Sequence, residues 1–174
     1  MQFVLVPFKE NNFIEQLAGE FELRGERISC TWRLTGNLDR IHWPGPCEKP
    51  QRKMSLWEHT CFEFFIGTMD SGGYYEFNQS PAGHWNSFSF SGVRTDMAET
   101  EALRGIRCVT EMPDRSSASV TAEVGFQAPS TGPYRVGVSA VIEEVSGRYH
   151  YFALAHSHGR ADFHHRDNHS LVAP

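Results

Sequence analysis

The chain of 174 residues contains no long apolar run and no cluster of basic residues. A helix needs roughly 20 apolar residues to cross a bilayer, so a membrane-spanning helix is not expected. Sixteen Lys and Arg residues stand against 21 Asp and Glu residues, the net charge is −5, and no basic stretch could follow a phosphate backbone. The composition therefore argues against nucleic-acid and membrane partners.

Paired cysteines and a secretion signal are also missing. The four cysteines, at positions 30, 47, 61 and 108, form no CxxC pair, which argues against a zinc knuckle and a dithiol redox site. Buried, reduced thiols are the favoured interpretation. The segment Met1–Lys9 has no basic start, no long apolar stretch and no small-residue cleavage site, so we expect a first strand and a cytoplasmic protein.

Catalytic motifs are absent as well. The sequence has no nucleophile elbow, Gly-rich phosphate loop, HExxH pair or Ser/His/Asp pattern, so a non-enzymatic role is the expectation. One enzymatic alternative remains. Glu63 and Glu76 could form the acid and base pair of a glycosidase, because that reaction needs two carboxylates flanking the scissile bond.

The sequence does contain period-two alternation of apolar and polar residues. This pattern, seen over Ile28–Leu34 and Val120–Phe126, is typical of half-buried antiparallel strands. Further predicted strands are Phe3–Phe8, His59–Ile66, Tyr74–Asn78, His84–Phe90, Arg135–Ile142, Tyr149–Ala155 and Ser170–Val172. Short strands divided by Gly/Pro turns predict an all-β fold, an antiparallel β-sandwich in a single domain over 1–174. Short helical segments are expected at Asn11–Leu17 and Met97–Leu103.

Strand parity predicts which polar side chains share a face of this sheet. Glu63 points away from the apolar residues of its strand, and so do Glu76 and Asn78 in the next. The same count places Trp85 with them, so the four side chains should gather on one face. Such a set suits a sugar, because a sugar ring stacks on an indole while carboxylate and amide oxygens accept hydrogen bonds from hydroxyls. The alternative is a solvated outer face carrying an incidental tryptophan.

Three sequence blocks add a family resemblance. They are Leu-Trp-Glu-His-Thr-Cys-Phe-Glu-Phe-Phe-Ile at 56–66, Tyr-Glu-Phe-Asn-Gln-Ser-Pro with Gly-His-Trp at 75–85, and Ala-Leu-Ala-His followed by Ala-Asp-Phe-His at 153–164. Together they resemble a DOMON-like protein of the family 9 carbohydrate-binding type, over about residues 34 to 171. The resemblance implies an immunoglobulin-like β-sandwich whose relatives bind sugar or haem and are usually not catalytic.

The resemblance also implies site residues. Sugar-binding members hold the ligand between two tryptophans, with acidic and basic side chains on its hydroxyls. Trp57 and Glu63 match the first half of this pattern, Arg94 is the candidate basic residue, and Phe163 or His164 occupies the region where a second tryptophan is expected. The predicted ligand-binding set is Trp57, Glu63, Glu76, Asn78, Trp85, Arg94, Phe163 and His164.

Haem b and divalent metals are the alternatives to a sugar. Haem-binding relatives use an axial Met and His or related pairs, and this chain offers loop methionines at 54, 69, 97 and 112 and five histidines in its last twenty residues. A metal could use His156, Asp162 and His164, although their spacing fits no defined zinc motif. Relatives often carry structural calcium, so a hard ion is a further candidate.

The tail is expected to take part in the site. We predict that Asp162–His164 folds back against the Trp57–Glu63 segment, with Phe163 supplying an aromatic wall and His164 bonding a glutamate. Otherwise Phe163, a large apolar residue among polar neighbours, would lie in water. The tail would then bury no apolar surface that could offset the entropy cost of ordering it. The alternative is that Phe163 only closes the end of the core, with the histidines outside.

Overall fold

The computed structural model describes residues 1–127, 132–156 and 159–174. Within these ranges the regular secondary structure is strand, apart from single 3₁₀ turns at Leu38–Arg40, Leu56–Glu58 and Arg166–Asn168. The strands are β1 Gln2–Val4, β2 Val6–Pro7, β3 Ile14–Arg24, β4 Arg27–Gly36, β5 Cys61–Thr68, β6 Tyr74–Gln79, β7 Trp85–Phe90, β8 Ala98–Glu99, β9 Leu103–Glu111, β10 Ser117–Phe126, β11 Tyr134–Glu143, β12 Tyr149–Ala153 and β13 Leu171–Ala173. No helix in this part of the chain is long or apolar enough to cross a membrane.

The strands form two antiparallel sheets that pack face to face. The first has the order β1-β3-β4-β10-β9, and the second the order β2-β12-β11-β5-β6-β7-β8 with β13 paired to β11. Aromatic side chains join the two sheets, with Phe21 5.5 Å from Phe64 and Trp32 5.7 Å from Phe62 between ring centroids. The predicted β-sandwich is therefore confirmed, and its alternating residues fill the space between the sheets.

The second sheet is also buried on the face that points away from the sandwich. Strand β5 is buried at seven consecutive positions, so both of its faces are covered. We call the apolar residues on the far face the outer cluster: Leu56, Cys61, Phe65, Tyr74, Phe88, Phe90, Val141, Ala153 and Phe163. The C-terminal segment, residues 161–169, covers this cluster. Within it, His169 stacks on Phe65 with 5.0 Å between ring centroids. Gly137 permits this packing, because a Cβ there would collide with the His169 ring.

The two predicted helical segments are wrong. Residues 14 to 17 begin β3, which pairs with β1 and β4, and Asn11 only caps the turn before it by accepting a hydrogen bond from the Ile14 N–H at 2.7 Å. The segment Met97–Leu103 contains β8 and the start of β9. Both segments are too short to be stable helices alone, so pairing with neighbouring strands decides their conformation.

The first predicted strand also differs from expectation. Phe3–Phe8 divides at Leu5, because β1 pairs with β3 in the first sheet whereas β2 pairs with β12 in the second. The N-terminal segment therefore links the two sheets.

Candidate functional site

A cavity of about 340 Å³ lies on the outer face of the second sheet, beneath the C-terminal segment. Strands β5 and β6 supply its floor, the 3₁₀ turn Leu56–Glu58 supplies one wall, and residues 161–164 supply another. The lining residues are Trp57, Glu63, Glu76, Phe90, Arg94, Met97, Val141, Tyr151, Ala161, Phe163 and His164. The cavity has the size of a small-molecule site and combines aromatic walls with ionisable groups.

Two glutamates on neighbouring strands form the charged part of the floor. Glu63 pairs in register with Asn78, so Glu76 is its diagonal neighbour on the same face. Both are buried, with 3% and 5% exposure. Ser139, opposite Glu63 on β11, donates a hydrogen bond from Oγ to Glu63 Oε2 at 3.1 Å. Asn78 donates from Nδ2 to Glu76 Oε1 at 2.8 Å.

Burial changes the protonation of these carboxyl groups. Loss of water raises the pKa of Glu63, and the negative charge of Glu76 raises it further. Loss of water likewise raises the pKa of Glu76, against the opposing effects of the Asn78 hydrogen bond and of Arg94. Each group therefore retains its proton to a higher pH than an ordinary glutamate does. Such a floor offers hydroxyl donors as well as carboxylate acceptors to a ligand.

A chain of hydrogen bonds sets the orientation of His164. The Arg94 backbone N–H donates to the Tyr74 hydroxyl at 3.2 Å, and that hydroxyl lies 2.7 Å from His164 Nδ1. Burial, then the charge of Arg94, lowers the pKa of His164 to about 4, so the ring is neutral near pH 7. With the Tyr74 hydroxyl as the donor to Nδ1, the ring proton of His164 lies on Nε2. The Nε2 atom is 3.8 Å from Glu76 Oε2, and His164 lines the cavity.

Asp162 fixes the rim of the cavity. Its Oδ1 accepts from Arg94 Nη2 at 3.0 Å and from the His164 backbone N–H at 3.2 Å, while its Oδ2 accepts from Arg160 Nη2 at 3.4 Å. Burial alone would raise the pKa of Asp162, but the Arg94 hydrogen bond and charge lower it below its usual range. Arg94 adopts a left-handed backbone conformation with φ of 55°, and its side chain is 56% exposed. The ionised Asp162 thus holds Arg94 at the mouth.

The aromatic walls are held by packing on the outer cluster. Trp57 meets Phe88 edge to face with 5.7 Å between ring centroids, and Phe163 meets Tyr151 in the same way at 6.1 Å. Ser55, at φ 58°, starts the turn that presents Trp57. The cavity therefore offers ring surfaces on both the 3₁₀ turn and the C-terminal segment.

Six of the eight predicted binding residues line this cavity: Trp57, Glu63, Glu76, Arg94, Phe163 and His164. Asn78 lies on the same face beside the two glutamates, but it is fully buried and does not line the cavity. Its Nδ2 donates to Glu76, and its Oδ1 has no hydrogen-bond partner among the described residues. Asn78 therefore orients Glu76.

Trp85 is placed elsewhere, and the parity argument for it is wrong. Glu76 pairs with Phe88, whereas Trp85 pairs with Gln79, so Trp85 points to the opposite face from Glu76. Trp85 packs on the sandwich core, and the Arg52 guanidinium lies 4.7 Å from its ring centroid. The prediction required Phe88 and Phe90 to face the sandwich. Phe88 and Phe90 belong instead to the outer cluster.

The predicted metal set is not brought together. His156 bonds the Val6 carbonyl through Nε2 at 3.0 Å, Asp162 is bound by two arginines, and His164 bonds Tyr74. Over the described ranges, only His42, His59 and Glu143 offer three close ligand atoms.

Sequence analysis did not assign Tyr74, Ser139, Tyr151 or Arg160 to the site. A signal existed for Tyr74, since it has the same strand parity as Glu76. Ser139 could be identified only from the pairing of β11 with β5, which joins residues 76 positions apart.

Comparison with known proteins supports the fold assignment through structure alone. No protein-family model and no curated protein sequence matches the chain. Similar solved structures include a protein from Bacteroides uniformis with a provisional assignment as carbohydrate-binding, at a TM-score of 0.70 and 12% identity over 99% of this chain and 84% of that one. A family 9 carbohydrate-binding module from Caldicellulosiruptor kristjanssonii, in complex with cellotriose, matches with a TM-score of 0.60 and 6% identity. That match covers 87% of this chain and 71% of the other. A family 9 module from the same organism, in complex with glucose, matches with a TM-score of 0.56 and 6% identity. That match covers 83% of this chain and 69% of the other. The chain therefore has a fold like that of family 9 modules.

Proposed function

We propose that this protein is a non-catalytic, DOMON-like module that binds a carbohydrate in the cavity beneath its C-terminal segment. The observation that carries the proposal is the pairing of two buried carboxyl groups, Glu63 and Glu76, with an aromatic wall at Trp57. Burying two acids side by side costs stability even though Glu63 accepts a hydrogen bond from Ser139 and Glu76 accepts one from Asn78. A purely apolar pocket would not retain them. Sugar hydroxyls can donate to and accept from both.

Each side chain has a role in this binding mode. Trp57 and Phe163 stack on the apolar faces of a sugar ring. Glu63 and Glu76 bond its hydroxyls from the floor, the His164 Nε2–H donates from the side, and Arg94 donates at the mouth. The complexes of the structurally similar module with cellotriose and glucose support this ligand class.

Titration calorimetry with glucose, cellotriose and glucosamine tests the proposal, and a glycan array extends the search. Trp57→Ala should weaken binding by about 1–3 kcal/mol without changing the circular dichroism spectrum, because the stacking surface is lost. Trp85→Phe is the matched control, since Trp85 lies on the other face of the sheet. Equal affinity of Trp57→Ala and parent protein would place the site elsewhere.

Haem is the second candidate, because Met97 and His164 line the same cavity. The rest of the cavity does not suit a porphyrin. Its floor carries two carboxyl groups, and His164 is committed to Tyr74 through Nδ1 and faces Glu76 through Nε2. A Soret band in the purified protein would favour haem. Turnover of chromogenic glycosides would instead favour a hydrolase using Glu63 and Glu76.

A further inference from the structure

A second polar cluster lies outside the cavity, where the start of the loop after Ile41 meets the end of β11. It consists of His42, His59 and Glu143. Both histidines direct Nδ1 at the same carboxylate oxygen, with His42 at 3.0 Å and His59 at 2.9 Å from Glu143 Oε2. None of the three residues lines the cavity beneath the C-terminal segment.

The backbone fixes the positions of these three side chains. The His42 N–H donates to the Glu143 carbonyl at 2.8 Å. The fully buried Thr60 ties both segments together, since its Oγ1 donates to the His42 carbonyl at 2.9 Å and accepts from the Glu143 N–H at 3.1 Å. His59 immediately precedes Thr60. The cluster is therefore built on ordered strand and turn backbone, which limits how far its ligand atoms can move apart.

The geometry points to a binding site for a divalent transition-metal ion such as Zn²⁺, held by His42 Nδ1, His59 Nδ1 and Glu143 Oε2. One ligand atom from each residue lies within 4.8 Å of the other two. Tetrahedral zinc with bonds of about 2.0–2.2 Å separates its ligands by roughly 3.3 Å, so the two nitrogens need to move only slightly from the carboxylate oxygen. The histidine side chains are 54% and 64% exposed, which leaves space for water as a fourth ligand.

The donor set selects among ions. Two imidazoles and one carboxylate suit Zn²⁺, Ni²⁺ or Cu²⁺, whereas Ca²⁺ requires six or more oxygen ligands. The Glu143 Oε2 atom already contacts Nδ1 of both histidine rings, so the three ligand atoms converge on one position. The metal would replace the two N–H hydrogens that now bond this oxygen, and its affinity should fall as the pH is lowered.

Metal binding here would also act on the cavity wall. His59 follows the 3₁₀ turn Leu56–Glu58, which carries Trp57 into the cavity. A metal bridge from His59 to Glu143 would tie that turn to β11. The proposed site does not depend on the identity of the cavity's ligand.

Calorimetric titration of the untagged 174-residue chain with ZnCl₂ tests the site directly. We expect one Zn²⁺ per chain, and a loss of at least about tenfold in affinity for His59→Ala and for Glu143→Gln. His165→Ala is the matched control, because His165 lies outside the cluster, beside the 3₁₀ turn Arg166–Asn168, where it accepts a hydrogen bond from the Asp167 N–H. Its affinity should equal that of the parent protein. CaCl₂ should produce no heat of binding.

Co²⁺ absorption supplies a second readout that does not depend on stability. Bands of a four- or five-coordinate ion should appear in the parent protein and vanish in His42→Ala, while circular dichroism shows that the variant remains folded. The proposal is overturned if the parent protein binds neither Zn²⁺ nor Co²⁺. It is equally overturned if the His59 and Glu143 variants bind as tightly as the parent, or if His165→Ala lowers affinity as much as they do.

Discussion

The two faces of the second sheet are both buried, yet they differ in chemistry. The inner face packs on the first sheet through aromatic and aliphatic residues such as Phe62 and Phe64. The outer face carries an apolar cluster of its own, but it also buries Glu63 and Glu76 beside a cavity. A face that served stability alone would not bury two acids whose charged forms are unfavourable there. The inner face is packed for stability, whereas the outer face buries ionisable groups, and for that reason we propose the ligand site there.

The largest effect should come from the inner face. Phe64→Ala removes a ring that is fully buried between Phe21 and Phe77, with centroid distances of 5.5 Å and 5.1 Å. We expect it to lower the free energy of unfolding by about 3–5 kcal/mol, measured by urea denaturation. Phe163→Ala, on the outer face, should cost less stability and more ligand affinity. Equal losses for the two variants would contradict the division between faces.

Removing a buried acid should raise the free energy of unfolding, whereas Phe64→Ala lowers it. Glu63→Gln keeps the volume of the side chain but removes a charge that burial disfavours, so we expect the unfolding free energy at pH 8 to rise by about 1–3 kcal/mol. Sugar affinity should fall at the same time, as calorimetry would measure. Glu123→Gln is the control, because Glu123 is an exposed residue of β10. A stability loss in Glu63→Gln would mean that the acid stabilises the fold.

The pH dependence of stability separates the groups on the outer face. The raised pKa values of Glu63 and Glu76 stabilise the fold fully below about pH 4.5, and this contribution is lost as pH rises through their folded values. His164 and His169 behave oppositely. Burial lowers the pKa of each to about 4, so their contribution is present above about 6.5 and is lost as pH falls towards 4.

Stability should therefore decline on both sides of a maximum near neutral or slightly acidic pH. Melting temperatures of the parent and of Glu63→Gln/Glu76→Gln across pH 4 to 9 provide the measurement. The double variant should lose less stability than the parent on the alkaline side and keep the acid-side decline. If the melting temperatures of the two proteins fell equally at alkaline pH, the two glutamates would not take up protons on folding.

The smallest effect is expected from Tyr74→Phe. This change removes the hydroxyl that accepts from the Arg94 N–H and is bonded to His164 Nδ1, while the ring remains stacked on Phe90 at 4.8 Å. We expect a loss of about 1 kcal/mol in unfolding free energy and a several-fold loss in ligand affinity, because the His164 tautomer is no longer set. Tyr149→Phe, at an exposed hydroxyl bonded to the Glu58 carbonyl, is the comparison. Tyr74→Phe should lower ligand affinity more than Tyr149→Phe does.

Local sequence patterns were sufficient to predict the β-sandwich and part of the cavity floor. Period-two alternation reports which residues of one strand share a face, so the placement of Glu63, Glu76 and Asn78 together followed from local parity. It could not decide which face of β7 is outward, because a sheet that is apolar on both faces has no local signal for orientation. Trp85 was misplaced for that reason.

The closure of the cavity and the ionisation of its groups depend on contacts between distant parts of the chain. Tyr74 and His164 are 90 residues apart, and their hydrogen bond forms because the C-terminal segment folds over the outer cluster. The same covering removes water from Glu63 and Glu76 and raises their pKa values. Desolvation is a property of the packed surroundings, and these are assembled from five strands and a tail. Local sequence patterns carry no information about such contacts.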